Sequence, residues 1–277
     1  EGDVGDAHSK QLAAPEAEVQ IAIVGKYVHL RDSYKSLHEA LVHGGVANRT
    51  KVRIEYVDSE RIEKEGTGLL DSVHAVLVPG GFGDRGIEGK IAAARFAREN
   101  RVPFFGICLG MQIAVIEFAR SVLGLKTAHS TEFNLHAPDP VIHLMKSQAD
   151  VKDMGGTMRL GAYACKLKVG SLAHKIYNAK AISERHRHRF EFNNEYRDRF
   201  VEKGMVLSGM NPDLDLVEMI EIPDHPYFVA CQFHPEFKSR PLKPHPLFVN
   251  FVRAALKHAG AADRVLLDLD EGADEDD

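Results

Sequence analysis

The residue types and patterns that the sequence lacks exclude several classes of protein. Its 277 residues contain no tryptophan and only three cysteines, Cys108, Cys165 and Cys231. Three cysteines do not make the disulfide framework of a small secreted domain. No apolar run approaches the roughly 18 residues of a membrane-spanning helix, and no signal-peptide pattern opens the chain. We therefore expect a soluble, cytoplasmic protein with no membrane partner.

The charge of the chain is unevenly distributed. The formal net charge is −5, but residues 1–18 carry −4 and residues 263–277 carry −7, which leaves +6 for residues 19–262. Both acidic ends are typical of solvated, disordered segments. The positive remainder suits anionic small molecules or an acidic partner and is too weak to predict nucleic-acid binding. Because residues 1–18 have no targeting pattern and no initiator methionine, we interpret them as a linker from a missing N-terminal domain.

Apolar runs and amphipathic segments alternate through the first half of the chain, as they do in a parallel sheet with crossover helices. Strands are predicted at 20–24, 51–57, 74–79, 103–107 and 227–233, and helices at 33–47, 87–99, 109–123 and 246–258. Short β-like runs replace this alternation between 140 and 222. The sequence thus predicts an α/β fold with an open, mostly parallel sheet, flanking helices and a strand-rich C-terminal half. A single domain, residues 19–260, would lie between the linker and an acidic tail at 261–277.

Residues 106–112, Gly-Ile-Cys-Leu-Gly-Met-Gln, have the pattern of a nucleophile elbow. An apolar strand precedes them and an amphipathic helix follows, so Cys108 would occupy the sharp turn between the two. Gly106 and Gly110 would allow the close strand–helix contact, and the helix N-terminus would favour the reactive thiolate. The alternative is a buried core cysteine, the commoner state of this residue. For Cys165 and Cys231 we favour core packing.

The best proton partner for that thiol lies 126 residues downstream, at His234. It belongs to a His-Pro-Glu tripeptide at the end of an apolar strand. In extended chain, residues two apart project to the same side, so Glu236 would reach the far ring nitrogen of His234. An ordinary surface turn is the competing interpretation of the tripeptide alone.

Glycine-rich residues 79–86 follow the third predicted strand and contain a G-x-G-x-x-G match at Gly81, Gly83 and Gly86. A dinucleotide fingerprint normally lies on the first strand, with an acidic residue about 20 positions on. Here the next strand ends at Cys108, which favours backbone N–H groups directed at an oxyanion. The nucleotide alternative is weaker but stays open.

The basic run 184–189 also has two interpretations. Its alternate residues would face a cleft, with one arginine binding a carboxylate, or the run would simply be solvated. A metal site is not predicted, since His186 and His188 lack a second ligand pair at zinc spacing.

Taken together, the strings Gly-Ile-Cys-Leu-Gly-Met-Gln and His-Pro-Glu resemble the class I, triad-type glutamine amidotransferases. Longer strings resemble, within them, the glutaminase domain of the CTP synthase family. The strings lie at 23–27, 79–89, 130–133, 154–161, 184–191 and 232–237, and the resemblance spans about 19 to 258. It implies the class I amidotransferase fold, with a flavodoxin-like sheet.

The resemblance also implies roles for individual residues. Cys108, His234 and Glu236 would form the catalytic triad, and Gly81 and Leu109 would supply the oxyanion-hole N–H groups. Glutamine would be held by Gly81, Phe82, Leu109, Gln112, Glu132 and Arg189, with Glu132 on its ammonium group and Arg189 on its carboxylate.

Further implications concern the whole enzyme. No cofactor is expected in this domain, whereas the missing synthetase domain would bind ATP, Mg²⁺ and UTP. GTP would act as an allosteric activator and the full-length enzyme would be a homotetramer. The competing functions are a cysteine-elbow peptidase on the same fold and a catalytically silent glutamine-binding module.

Overall fold

The computed structural model describes residues 15–26, 34–81, 84–144 and 158–260. Phe82, Gly83, most of the expected linker 1–18 and all of the expected tail 261–277 lie outside these ranges. The first strand begins at Ala17, so the last two residues assigned to the linker are part of the sheet.

The described strands form two sheets. They are β1 Ala17–Gly25, β2 Thr50–Asp58, β3 Ala75–Val78, β4 Phe104–Ile107, β5 Ala128–Ser130, β6 Asp139–Leu144, β7 Arg159–Leu167, β8 Ala181–His188, β9 Phe190–Phe192, β10 Val206–Asn211, β11 Leu216–Glu221 and β12 Phe228–Cys231. The larger sheet has the order β2-β1-β3-β4-β12-β11-β10-β7-β8, and the smaller one has the order β5-β6-β9. The first five positions of the large sheet are parallel, in the flavodoxin-like order, and the rest are antiparallel.

The described helices are α1 Lys35–Ala47, α2 Ser59–Glu65, α3 Ile87–Glu99, α4 Leu109–Ser121, α5 Leu172–Tyr177, α6 Arg197–Glu202 and α7 Pro246–His258. Shorter 3₁₀ turns lie at Thr67–Leu70, Asn194–Tyr196 and Pro235–Phe237. Local chemistry accounts for two helix starts: Asp58 caps α2 by accepting from the Glu60 N–H at 2.8 Å, and Pro246 is the first residue of α7. None of these helices is both long and apolar enough to cross a membrane.

Two apolar layers cover the faces of the large sheet. Helices α3 and α4 contribute Ile91 and Ile113 to one layer, and α1 and α7 contribute Leu41 and Phe248 to the other. Phe105 of β4 is fully buried against Phe248, with ring centroids 5.3 Å apart. Each such side chain contributes about 1.5–3 kcal/mol through burial. The predicted α/β fold, with a mostly parallel N-terminal part, flanking helices and a strand-rich C-terminal half, is confirmed.

Several elements differ from the prediction. Helix α2 is not predicted at all, and two short helices, α5 and α6, interrupt the region 140–222, for which only β-like runs are predicted. The sequence predicts no neighbour for β12, and the structure pairs it with β4 although 120 residues separate the two strands in the chain. The parallel strands β3, β4 and β12 therefore end at the same edge, where open α/β sheets bind ligands.

Candidate active site

Cys108 is the single residue between β4 and α4. Its backbone angles are φ 52° and ψ −102°, a conformation that non-glycine residues rarely adopt. The turn is fixed on both sides, since the Cys108 N–H donates to the Cys231 carbonyl of β12 at 2.7 Å and its carbonyl accepts from the Met111 N–H at 3.0 Å. This is the strained strand–turn–helix geometry of a nucleophile elbow.

The two glycines that flank the elbow are required by space. A Cβ on Gly106 would lie 2.6 Å from the Gly110 carbonyl oxygen, and one on Gly110 would lie 2.0 Å from the carbonyl oxygen of Val78 in β3. Backbone atoms cannot yield to such contacts. The two glycines are therefore needed for close strand–helix contact, as predicted from the sequence.

His234 and Glu236 form a short hydrogen bond, with His234 Nδ1 2.8 Å from Glu236 Oε1. The predicted contact is present, but the predicted reason for it is wrong. Strand β12 ends at Cys231, and Pro235–Phe237 is a 3₁₀ turn rather than extended chain. The turn folds the carboxylate back onto the ring, because proline at its first position fixes φ in the helical range.

Two further contacts hold His234 beside the nucleophile. Its backbone N–H donates to the Arg185 carbonyl of β8 at 2.8 Å, and the Phe237 ring stacks on the imidazole at 5.3 Å between centroids. A Cβ on Gly80 would approach His234 Cε1 to 2.8 Å and Cys108 Cβ to 3.5 Å. The chain after β3 thus passes close to both the cysteine and the histidine, and only glycine fits there.

Electrostatics prepare His234 as a proton donor. Burial lowers its pKa, but the charges and hydrogen bonds of Cys108 and Glu236 outweigh burial and raise the pKa to about 10. The imidazole is therefore protonated at neutral pH. Its position next to Cys108 suits a thiolate–imidazolium pair.

Two cavities meet at Cys108. One is lined by Gly81, Cys108, Leu109, Gln112, Glu132, His188, Arg189 and Phe190. The other contains Cys108, His234 and Glu236, together with Tyr34, Lys35 and Arg187. The structure thus brings together the predicted site residues that it describes, and Phe82 lies outside the described ranges. Among the alternate arginines of the basic run, Arg187 faces the second cavity.

Opposite charges lie in the first cavity. Glu132 lies in the turn that follows β5, and its backbone N–H donates to Ser130 Oγ at 3.1 Å. Arg189 occupies the bend between β8 and β9, and its Nε is buried without a hydrogen-bond partner among the described residues. A carboxylate and a guanidinium group in one cleft are complementary to the ammonium and carboxylate groups of a free amino acid.

Backbone donors lie beside the thiol as well. Leu109 is the first residue of α4, so its N–H has no intrahelical acceptor and the positive end of the helix dipole is directed at Cys108. Gly81 lines both cavities. Gly86 lies against the first residue of α2, where a Cβ would come 2.1 Å from Ser59 Oγ, so this glycine is required by helix packing.

Gln232 is a site residue that sequence reasoning missed. It is fully buried, its Nε2 lies 3.7 Å from Cys108 Sγ, and its Oε1 accepts from Gln112 Nε2 at 3.3 Å. The available signal was a polar amide inside the apolar run 228–233. Gln112 also donates to the Phe190 carbonyl at 3.1 Å, so its amide nitrogen is already bonded to protein atoms.

Within the described ranges, no group of three or more His, Cys, Asp or Glu side chains is placed to hold a metal ion. His186 and His188 bond to each other, Nδ1 to Nε2, at 2.8 Å. Cys165 and Cys231 are fully buried in the core, as predicted.

The site belongs to a known class. The family model for class-I glutamine amidotransferases matches residues 29–254. The chain belongs to the class I glutamine amidotransferase family.

Within this family the similarity is to CTP synthase. The chain is 61% identical over 246 residues to the CTP synthase of Geobacter metallireducens, covering 88% of this chain and 46% of that protein. It is 62% identical over 242 residues to that of Trichlorobacter lovleyi, covering 87% and 45%. The glutaminase domain of Trypanosoma brucei CTPS, solved with bound acivicin, matches with a TM-score of 0.81 at 40% identity, over 86% of this chain and 94% of that one.

These values confirm the resemblance in the motifs. The chain spans somewhat less than half the length of the bacterial relatives and matches nearly all of the trypanosomal glutaminase domain. It therefore matches a CTP synthase at its glutaminase domain.

Proposed function

We propose that the chain hydrolyses L-glutamine to glutamate and ammonia through a γ-glutamyl thioester on Cys108. The observation that carries the proposal is that three features meet at Cys108, where the two cavities join. These are the elbow cysteine, the His234–Glu236 pair bonded at 2.8 Å in one cavity, and the oppositely charged Glu132 and Arg189 in the other.

In the first half-reaction the Cys108 thiolate attacks the side-chain amide carbon of glutamine. The N–H groups of Gly81 and Leu109 stabilise the oxyanion, which then collapses and breaks the carbon–nitrogen bond. His234, protonated at neutral pH, gives its proton to the leaving ammonia. Glu236 keeps the ring oriented and stabilises its charge, as the acid of a catalytic triad does.

The second half-reaction reverses the role of the histidine. Neutral His234 removes a proton from water, the resulting hydroxide attacks the thioester carbonyl, and glutamate leaves while the Cys108 thiolate re-forms. The same two N–H groups stabilise the second tetrahedral intermediate. Water needs access to this face of the thioester, and the cavity that contains His234 and Glu236 provides it.

Substrate selection rests on the other cavity. Glu132 binds the α-ammonium group and Arg189 the α-carboxylate, while Gly81, Leu109 and Gln112 line the cavity around the side chain. The resemblance adds Phe82 as a further glutamine-binding residue. A peptide has neither free group beside its glutamine, so this charge pair separates the proposal from a peptidase. A purely sensing module would need no activated thiol.

In the whole protein the ammonia would aminate UTP to CTP in pyrimidine biosynthesis. A synthetase domain of the same polypeptide would bind UTP, ATP and Mg²⁺, with GTP as an allosteric activator, in a cytoplasmic homotetramer. These assignments rest on the CTP synthases that the chain resembles and on its covering about half of their length. Because β1 begins at Ala17, the glutaminase domain would span residues 17–260, with 261–277 as an acidic tail.

The experiment is ammonia release from L-glutamine. We expect Cys108→Ala to abolish it while glutamine still binds, and Cys165→Ala to retain it, because Cys165 is a buried thiol outside the cleft. Mass spectrometry of the quenched reaction should show a glutamyl adduct on Cys108. Turnover by Cys108→Ala, or cleavage of a glutamine-containing peptide in preference to glutamine, would overturn the assignment.

A further inference from the structure

A buried ionic cluster lies next to the cleft and takes no part in the reaction steps above. Its core is Arg159, with 3% of its surface exposed, and two fully enclosed carboxylates, Glu191 and Glu218. The buried His186 and His188 lie against it. Enclosed charges persist in proteins only where they are paired, so the geometry of the pairing is informative.

Arg159 bridges the two carboxylates with separate nitrogens. Its Nη1 donates to Glu191 Oε1 at 2.9 Å and its Nη2 donates to Glu218 Oε1 at 2.8 Å. The guanidinium carbon also lies 4.4 Å from the centre of the Tyr163 ring. Because the guanidinium group is a planar, rigid fork, it fixes the distance between the two carboxylates that it binds. A lysine ammonium group would not fix that distance.

The bridge spans the corner between β8 and β9, which consists of residues 188–190. Arg159 pairs in register with His188, the last residue of β8 in the nine-stranded sheet, and Glu218 belongs to β11 of the same sheet. Glu191 belongs to β9 of the three-stranded sheet. Arg189 is the single residue between β8 and β9. The clamp therefore joins the two sheets on either side of the residue proposed to bind the substrate carboxylate.

The same corner is bonded to the nucleophile. The Phe190 carbonyl accepts from Gln112 Nε2 at 3.1 Å and lies 3.2 Å from His188 Nδ1. Gln112 is bonded in turn to Gln232, whose Nε2 lies 3.7 Å from Cys108 Sγ. A continuous set of contacts thus connects the corner to the thiol.

Stability alone does not account for the cluster. Replacing a buried ion pair by apolar residues of similar volume is often neutral or stabilising, whereas removing one partner is costly. What the cluster provides instead is a defined distance between β9 and β11. A displacement of about 1 Å in a substrate-binding group is enough to reduce binding and catalysis strongly.

We propose that Arg159 is a positioning residue for glutamine binding: by clamping Glu191 to Glu218 it fixes the corner that carries Arg189 and Phe190 beside the cleft. The inference rests on the proposed glutaminase function and adds a determinant of substrate affinity outside the cleft. Arg159 touches no substrate and acts only through the corner.

Burial also keeps the histidines of the cluster uncharged. It lowers the pKa of His186 to about 2 and that of His188 to about 3, so both rings are neutral. Burial raises the pKa of Glu191 and of Glu218, against the opposing effect of Arg159. An apolar replacement of Arg159 together with both glutamates therefore removes the clamp and leaves none of the three groups buried without its partner.

The first variant is Arg159→Lys, which keeps the charge and loses the fork. The second is the triple replacement Arg159→Met, Glu191→Leu and Glu218→Leu, which leaves no buried charge unpaired if the single change fails to fold. The matched control is Arg98→Lys, because Arg98 forms an equally close two-point pair with buried Glu117, at 2.9 and 2.8 Å, between α3 and α4.

We expect the KM for glutamine to rise about tenfold or more in both cluster variants, with kcat within about threefold of the original chain. Arg98→Lys should change the melting temperature comparably and leave KM unchanged. The alkylation rate of Cys108 by iodoacetamide should stay the same throughout, because the elbow itself is intact. Calorimetry in a Cys108→Ser background should show the same tenfold loss in glutamine affinity.

Unchanged KM and affinity in the folded triple variant would overturn the proposal, and so would an equal KM increase in Arg98→Lys. The failure of the proposed function has a different signature. If Cys108→Ser binds glutamine with an Arg159-dependent affinity but the original chain releases no ammonia, hydrolysis is wrong and positioning stands. If no glutamine binds, both fail.

Discussion

Replacing Glu236 by glutamine tests the electrostatic account of the catalytic pair. The carboxylate lies 2.8 Å from His234 Nδ1, and the two side chains are only 11% and 12% exposed, so solvent screens their interaction little. Glutamine can still accept from the ring N–H but carries no charge. A charge-assisted hydrogen bond exceeds a neutral one by about 1–1.5 kcal/mol, and 1.36 kcal/mol corresponds to one pKa unit. We therefore expect the pKa of His234 to fall by about one unit from its value of about 10.

The same change has a consequence for stability. Because the pKa of His234 in the fold lies above the ordinary 6.5, protonation stabilises the fold fully below pH 6.5, and this stabilisation is lost as the pH rises towards 10. Glu236→Gln lowers the upper end of the pH range over which protonated His234 stabilises the fold. The loss of unfolding free energy between pH 6 and pH 10 should therefore be smaller in the variant than in the original chain.

The assay is an NMR titration of the His234 imidazole between pH 6 and 11. Glu236→Ala, which removes the acceptor as well as the charge, should lower the pKa by about two units. His225 provides an internal control, since it is buried elsewhere and bonded to the Ala97 carbonyl at 3.0 Å. A His234 pKa that is the same in Glu236→Gln and in the original chain would refute the reasoning.

Two further predictions concern the cleft and the elbow. Arg189→Ala should raise the KM for glutamine at least tenfold with a smaller effect on kcat. Arg185 is exposed, so Arg185→Ala should leave the KM unchanged. Equal KM values for Arg189→Ala and the original chain would contradict the proposed binding of the substrate carboxylate by Arg189. Gly110→Ala should destabilise the fold by about 3 kcal/mol, because the new Cβ would lie 2.0 Å from the Val78 carbonyl oxygen. Gly68→Ala, whose Cβ would meet nothing closer than 3.8 Å, is the control in the same chemical denaturation experiment.

Local patterns explain how much of the fold was predictable. The parallel strands are short apolar runs followed by amphipathic helices, so β1, β3 and α3 are recognised without any tertiary information. The elbow was predictable for the same reason, because Gly106 and Gly110 are required by contacts within one strand–helix unit and its neighbouring strand.

Long-range pairing explains what was not predictable. The position of β12 beside β4 depends on contacts between distant segments, and it brings Gln232 to Cys108. Glu132 entered the predicted site only through the resemblance to a family, since it lies in no pattern with intrinsic chemistry. The basic run 184–189 predicted one arginine that binds a carboxylate, but only the resemblance selected Arg189 within it. Arg159 was not singled out, because its carboxylate partners come from two other strands. The roles of these side chains stay predictions until the variants are measured.

The backbone of Cys108 has φ 52°, which glycine accepts more readily than any residue with a Cβ. Holding a cysteine there costs of order 1–3 kcal/mol, a substantial part of the 5–15 kcal/mol by which domains are stable. A mutation to glycine would relieve this strain and remove the thiol together. Selection for stability alone would therefore drive the lineage towards an inactive protein, and only selection for the chemistry retains cysteine at this position.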